Sequence, residues 1–228
     1  MAVVSNELIV VIPAYNAERT IVEVVSGIRK ALASPEIVVV DDGSSDRTAE
    51  IIRTLDVRHI HHSWNRGKGA ALQTGFAYGI KTGARRVLTM DADNQHDPQE
   101  APKLVEASNN VDGIVIGARK ISIGSMPFHR WSSNALTSRL IAFRTGIEIK
   151  DSQSGYRVYS SGLLKRFRFT HVRFDFESEV IIRACLAGYE IRFVDIGTRY
   201  FEDGRSTMRA FDVMRFVRMY LKSYSNNW

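Results

Sequence analysis

Val87-Leu-Thr-Met-Asp-Ala-Asp-Asn-Gln-His-Asp-Pro98 runs four β-favouring residues straight into two carboxylates. On extended backbone, side chains two apart share a side, so Asp91, Asp93 and Gln95 are expected to converge on one small volume. Crowded oxygen ligands suit a hard divalent cation, Mg2+ or Mn2+. Such an ion keeps open positions for substrate phosphates, so a diphosphate-bearing ligand is the expected partner. The same residues also spell a solvated turn, since Asp and Asn favour turns and Asp97-Pro98 starts a helix. The surrounding sequence decides between the two.

Working outward, Leu8-Ile-Val-Val-Ile12 and Ile37-Val-Val-Val40 are continuous apolar runs of strand length, the pattern of strands buried on both faces. Val57–Ile60, Arg86–Met90, Gly113–Gly117 and Glu190–Asp195 extend the series. Helices are expected over Thr20–Leu32, from Asp46, over Gly69–Thr82, after the cap Asp97 with Pro98 and Glu100, and over Phe176–Ala187. This alternation predicts an α/β fold with a mostly parallel central sheet and helices on both faces. Ligands in such sheets bind beyond the carboxyl ends of the strands. Pro13 to Glu18, Asp41 to Asp46, Asn65 to Lys68 and Asp91 to Gln95 all follow expected strands, so four polar loops should gather along one edge. A carboxylate at Asp41 or Asp42 can accept from a base N–H or a ribose hydroxyl. Lys68, opening a helix whose amides favour anions, suits a phosphate.

Beyond Gly117 the pattern changes to a basic helix over Phe128–Thr145 and a polar loop over Asp151–Arg157, which reads as a second lobe packed on the first. The expected organisation is one catalytic domain: a nucleotide-binding half over 1–118, an acceptor-binding half over 119–208 and a terminal helix over 209–228.

The 228 residues are 44% hydrophobic and 25% charged, ordinary for a soluble globular protein, with a net charge of +6. A single cysteine, Cys185, excludes an internal disulfide and a Cys-rich zinc site. No uncharged run reaches the roughly 18 residues that suggest a membrane span, and the N-terminus lacks a basic-then-apolar leader. A cytoplasmic protein is expected. His59, His61 and His62 resemble a metal cluster at first sight, but consecutive residues near a strand end diverge.

Six ordered motifs then make the chain resemble the family 2 glycosyltransferases, most closely the dolichol- or polyprenol-phosphate mannosyltransferase branch. They are Ile12-Pro-Ala-Tyr-Asn16, Val40-Asp-Asp-Gly-Ser44, Gly67-Lys-Gly-Ala70, Met90 to Pro98, Asp151-Ser-Gln-Ser-Gly-Tyr-Arg157 and Phe176-Glu-Ser-Glu179. The resemblance implies a GT-A nucleotide-binding fold, a nucleotide-diphosphate sugar donor, GDP-mannose favoured, and inversion at the anomeric carbon. It assigns Pro13, Tyr15, Glu18 and Asp42 to the nucleoside, and Asp91, Ala92 and Asp93 to the donor diphosphate, with Asp91, Asp93 and Gln95 at the cation. It assigns Arg119, Arg130, Asn134, Ser154 and Arg157 to the acceptor, and Arg199 with Gly204–Met208 to a loop closing over the diphosphate.

The implied acceptor is a polyprenyl or dolichyl phosphate, whose oxygen attacks the sugar while the cation and cationic side chains stabilise the leaving diphosphate. An acceptor hydroxyl on a glycan or protein would instead need a carboxylate base, for which Asp151 and Glu177 are the candidates. A rival of another class is a non-catalytic nucleotide-sugar-binding domain, against which the intact Asp91 and Asp93 argue. Nucleic acid is not an expected partner, because no aromatic-basic platform is evident. The last helix, over Arg209–Tyr224, carries an apolar stripe of Val213, Met214, Val217, Tyr220, Leu221 and Tyr224 opposite Arg215, Arg218 and Lys222. That pattern suits either the cytoplasmic face of an anionic membrane, with the protein attached peripherally, or the protein's own core.

Overall fold

The computed structural model describes residues 7–119, 128–197, 210–225 and 228, with the side chains of 128–131, 210 and 211 left aside. Seven strands form one sheet in the order β3-β2-β1-β4-β6-β5-β7. They are β1 (Leu8–Ala14), β2 (Glu36–Asp41), β3 (Arg58–His61), β4 (Arg86–Thr89), β5 (Gly113–Arg119), β6 (Arg157–Ser160) and β7 (Glu190–Ile196). β6 runs against β4 and β5, and the other neighbouring pairs are parallel. The mostly parallel α/β sheet expected from the alternation is what forms.

The central strands are apolar throughout because both faces are covered. Ile9, Val11, Val38 and Val40 point into one core, filled by Leu72 and Phe76 of α3 (Lys68–Lys81), Ile141 of α5 (Phe128–Thr145), Phe176 and Val180 of α7 (Asp175–Leu186), and Phe216 and Met219 of α8 (Ala210–Lys222). Val10, Ile12, Ile37 and Val39 point into the other, filled from α1 (Ile21–Ala31), α2 (Thr48–Thr54) and α4 (Ala101–Ala107). The two-residue side-chain period thus splits each strand between two cores.

Two expectations are corrected. The later half does not form a separate lobe on the first: β5, β6 and β7 continue the same sheet, with β6 joining the halves. The strand β6 and the short α6 (Ser161–Arg166) escaped the sequence reading because Arg157-Val-Tyr-Ser160 follows directly on the polar Asp151–Gly155 stretch, and its first residue was read as the end of that loop. Pro13 also does not stop β1, which runs on to Ala14. Its β4 neighbour ends opposite Val11, so the imide nitrogen of Pro13 lies beyond that ladder.

Of the two readings open for the stripe of helix α8, burial in the protein's own core is not the one found. Phe216, Met219 and Ser223 face the core, while Val213, Met214, Val217, Leu221 and Tyr224 stand between 45% and 64% exposed. Tyr220 is half-buried at the boundary. No helix among the described residues is long and apolar enough to cross a membrane.

Candidate active site

The ends of β1, β2, β3 and β4 deliver the four polar loops to one edge. After β4 the chain does not stay extended. Residues 92–93 turn, and Asn94 takes a left-handed φ of 61°. Asp91, Asp93 and Gln95 therefore do not share a side by strand alternation, as the sequence reading expected. Asp91 turns inward and Asp93 stands exposed, its Oδ1 accepting the Gln95 amide at 3.0 Å. Thr20 Oγ1 donates to the Ala92 carbonyl at 2.5 Å, tying the turn to the start of α1.

Asp91 meets a cation supplied by the protein. Lys68 Nζ lies 2.7 Å from Asp91 Oδ1 and 3.0 Å from Glu177 Oε1, joining the first residue of α3 to the first turn of α7. Burial disfavours the Asp91 charge, but the Lys68 ammonium, its hydrogen bond and the neighbouring positive charge of Arg119 act together to hold the carboxyl below the usual range. In Glu177 burial wins and the carboxyl is pushed up against the pull of Lys68. Burial also works against the Lys68 ammonium, but the two acids together hold its proton more tightly than normal.

The loop that carries Lys68 is built by Asp42. Its carboxylate accepts the Arg66 amide at 3.0 Å and the Gly67 amide at 2.7 Å, and His62 Nδ1 lies 2.6 Å away. Gly67 has φ 105°, and a Cβ there would overlap the Val172 carbonyl, so the sharp entry into α3 requires glycine. Asp41, fully buried, accepts the Ser44 amide at 3.0 Å. Ser44 Oγ in turn accepts the Asn16 backbone N–H at 2.9 Å, and the Asn16 side-chain Oδ1 accepts Ser45 N–H at 2.9 Å. Glu18 Oε2 accepts the Arg47 amide at 3.1 Å. These bonds knit the β1 and β2 loops into one rim. Tyr15 projects from it half exposed, and Pro13 lies buried beneath.

Several residues assigned to the acceptor are placed differently from the expectation. Asp151 is wholly buried and accepts from Arg119 Nε at 2.7 Å, Arg119 Nη2 at 3.0 Å and Asn134 Nδ2 at 3.0 Å. The amides of Arg119, Gln153 and Ser154 complete the set at 3.3, 3.1 and 3.1 Å. Its carboxyl is held low: burial is outweighed by the Arg119 guanidinium. Arg157 is also wholly buried, its guanidinium donating to the carbonyls of Ser154, Glu177 and Ser152 at 2.7, 3.0 and 2.8 Å. Asn134, Ser154 and Arg157 therefore brace the Asp151 loop from behind instead of lining an open pocket, because a buried polar loop needs every group paired. The Arg130 side chain, Arg199 and the Gly204–Met208 segment lie outside the described residues.

Two residues that the sequence reading left without a role complete the site. His96 is buried behind Asp91, its Nε2 3.9 Å from Asp91 Oδ2 and its ring 5.2 Å from that of Tyr156. Burial brings its pKa down to about 4, so it is neutral at pH 7. Gly155 passes so close to Asp91 that a Cβ there would overlap the carboxylate, while its carbonyl accepts Thr89 Oγ1 at 2.8 Å. Its signal was present as the lone glycine of Ser-Gln-Ser-Gly-Tyr, but nothing in the sequence says what it approaches.

The donor set suits a hard divalent cation. Asp93 is exposed at the mouth, and partial desolvation together with repulsion from Asp91 raises its carboxyl pKa, a strain that a cation between the two would relieve.

Among solved structures the fold is of the GT-A-like class. Glucosyl-3-phosphoglycerate synthase from Mycobacterium tuberculosis, crystallised with Mn2+, UDP and phosphoglyceric acid, matches with a TM-score of 0.74 over 97% of this chain and 81% of that one, at 21% identity. Within that class, the family model for Glycosyl transferase family 2 matches residues 9–168, and the chain belongs to this family of glycosyltransferases. Polyprenol monophosphomannose synthase of Mycolicibacterium smegmatis is 29% identical over 92% of this chain and 83% of its own length. The UDP-N-acetylglucosamine–dolichyl-phosphate N-acetylglucosaminyltransferase of Methanococcus voltae is 31% identical over 84% of this chain and 85% of its own.

Proposed function

We propose that this enzyme transfers a sugar, mannose first in order, from a nucleotide-diphosphate sugar to the phosphate of a polyprenol or dolichol, inverting the anomeric carbon. The observation that carries the reading is the state of the two acids available as bases. A hydroxyl acceptor needs a carboxylate free to take its proton. Asp151 is saturated by six hydrogen bonds, and Glu177 is held at 3.0 Å by Lys68. A lipid phosphate arrives already anionic and asks nothing of either.

In this reading Tyr15 and Glu18 border the nucleoside, with Asp42 holding the loop beneath it, and the α3 N-terminus with Lys68 faces the diphosphate. Asp91 and Asp93, with Gln95 beside them, would hold Mg2+ or Mn2+, whose charge stabilises the departing diphosphate. Arg119 and Arg130 bring positive charge to the acceptor phosphate, Arg119 with its guanidinium oriented bidentately by Asp151. Arg199 is assigned in the same proposal to the charge of the donor diphosphate. The Mycolicibacterium relative supports mannose and a polyprenol acceptor. The Methanococcus relative keeps a UDP-N-acetylglucosamine donor as the alternative sugar on the same kind of acceptor.

Peripheral attachment to an anionic membrane belongs to the same proposal. The exposed face of α8 presents Val213, Met214, Val217 and Leu221, while Arg215, Arg218 and Lys222 are also exposed and border a cleft with Thr170–Arg173. Apolar insertion flanked by basic charge is how a helix holds the surface that contains a lipid acceptor.

The test is a transfer assay with Mn2+ or Mg2+, offering labelled GDP-mannose, UDP-glucose and UDP-N-acetylglucosamine to a short polyprenyl phosphate. Organic-phase product from one donor, absent with Asp93→Ala, supports the proposal and names the sugar. Donor hydrolysis without lipid product would move the acceptor to a hydroxyl.

A further inference from the structure

At the free edge of the sheet, β3 carries histidines on alternate positions. His62, one residue on, turns to the opposite face, where Nδ1 meets Asp42 at 2.6 Å and Nε2 meets Thr74 Oγ1 at 2.9 Å. His59 and His61 share the other face, and the parallel register sets Asp41 of β2 directly beside His61. One nitrogen from each ring and one oxygen of Asp41 all lie within 4.8 Å of one another.

We propose that Asp41, His59 and His61 form a binding site for a borderline transition-metal ion such as Zn2+, separate from the hard-cation site at Asp91 and Asp93. The ligand chemistry separates the two sites. Imidazole with one carboxylate suits Zn2+, Co2+, Ni2+ or Cu2+, whereas an all-oxygen set suits Mg2+ or Mn2+. His61 Nδ1 lies 2.9 Å from Asp41 Oδ2, the spacing of two donors on one ion as well as of a hydrogen bond. A simple Asp–His pair would account for those two residues alone. It leaves His59 Nε2 buried with no hydrogen-bond partner, and a shared ion would use a nitrogen of that ring.

The surroundings support the assignment. Asp41 Oδ1 is held by the Ser44 amide, which orients the carboxylate and frees Oδ2 to face the histidines. His61 is exposed on the edge strand, so an ion has a route in from solvent and room for a water as a further ligand.

The experiment uses the untagged full chain, stripped with a chelator and titrated with Zn2+ against a chromophoric competitor, then with Co2+ to read its visible absorption. One equivalent should bind in the native protein and in Asp93→Asn, with Co2+ bands of a nitrogen-containing site. His59→Gln and His61→Ala should each weaken binding tenfold or more while the far-ultraviolet dichroism stays native. His61→Ala sits on an exposed edge, so folding does not confound it. Native affinity in either histidine variant, loss of the site in Asp93→Asn, or no binding at micromolar Zn2+ would each overturn the proposal.

Discussion

The ammonium of Lys68 stands 2.7 Å from Asp91, so the first acid of the Asp-Ala-Asp turn is neutralised from within the protein before any ligand arrives. Glu177 shares the same ammonium at 3.0 Å, and the three groups form one mostly buried unit. Replacing Lys68 by Met strands two acids without a counter-charge. Breaking a pair of this kind costs about 2 kcal/mol once partial exposure is allowed for. Urea denaturation should show that loss. The double variant Lys68→Met, Glu177→Gln should recover part of it, while the transfer rate of both falls by about a hundredfold.

Gly155 is where backbone approaches the Asp91 carboxylate too closely for any side chain. Gly155→Ala should push Asp91 from Lys68 at a stability cost of about 1–3 kcal/mol. A displacement near 1 Å at a reacting group lowers turnover by about a hundredfold. Steady-state kinetics should therefore show the loss in kcat beyond what the melting temperature explains.

Asp151 and Arg119 give a pH signature. The folded-state pKa of Asp151 is depressed, so the stabilisation it brings is complete above the unfolded carboxyl value, about 3.9. It is lost as pH falls through the lowered folded value. Asp151→Asn should cost about 3 kcal/mol at pH 7, and the gap to the native protein should close only in strong acid. Denaturation at pH 7, 4 and 2.5 reads this directly.

Helix α8 separates surface from core. Val217 and Leu221 are exposed, so changing both to Glu should leave stability within about 0.5 kcal/mol. Cosedimentation with anionic phospholipid vesicles should drop sharply in that variant. Met219→Ala, on the fully buried side, should do the opposite: about 2–5 kcal/mol lost with little change in the vesicle binding of the folded fraction.

What the sequence determined by itself was the alternation of strands and helices from β1 to β5 and the edge on which chemistry gathers. A run such as Ile37-Val-Val-Val40 can be satisfied only by burial on both faces, and a polar loop after each such strand must emerge at the carboxyl end. The family motifs at Asp91, Lys68 and Asp42 were legible for the same reason, since each is a short local pattern of polar residues following a strand. Tertiary structure alone decided which of these residues pair. Nothing local tells that Glu177, 109 positions from Lys68, shares its ammonium, that Asp151 is consumed by Arg119, or that Gly155 lies against Asp91. It also decided that β6 completes one sheet instead of leaving two lobes, and that the apolar stripe of α8 faces outward. Periodicity reports that a helix has an apolar face, but only packing of the whole chain selects which face meets the core. Contacts between residues far apart in sequence are made by the folded sheet, and no window of sequence contains them.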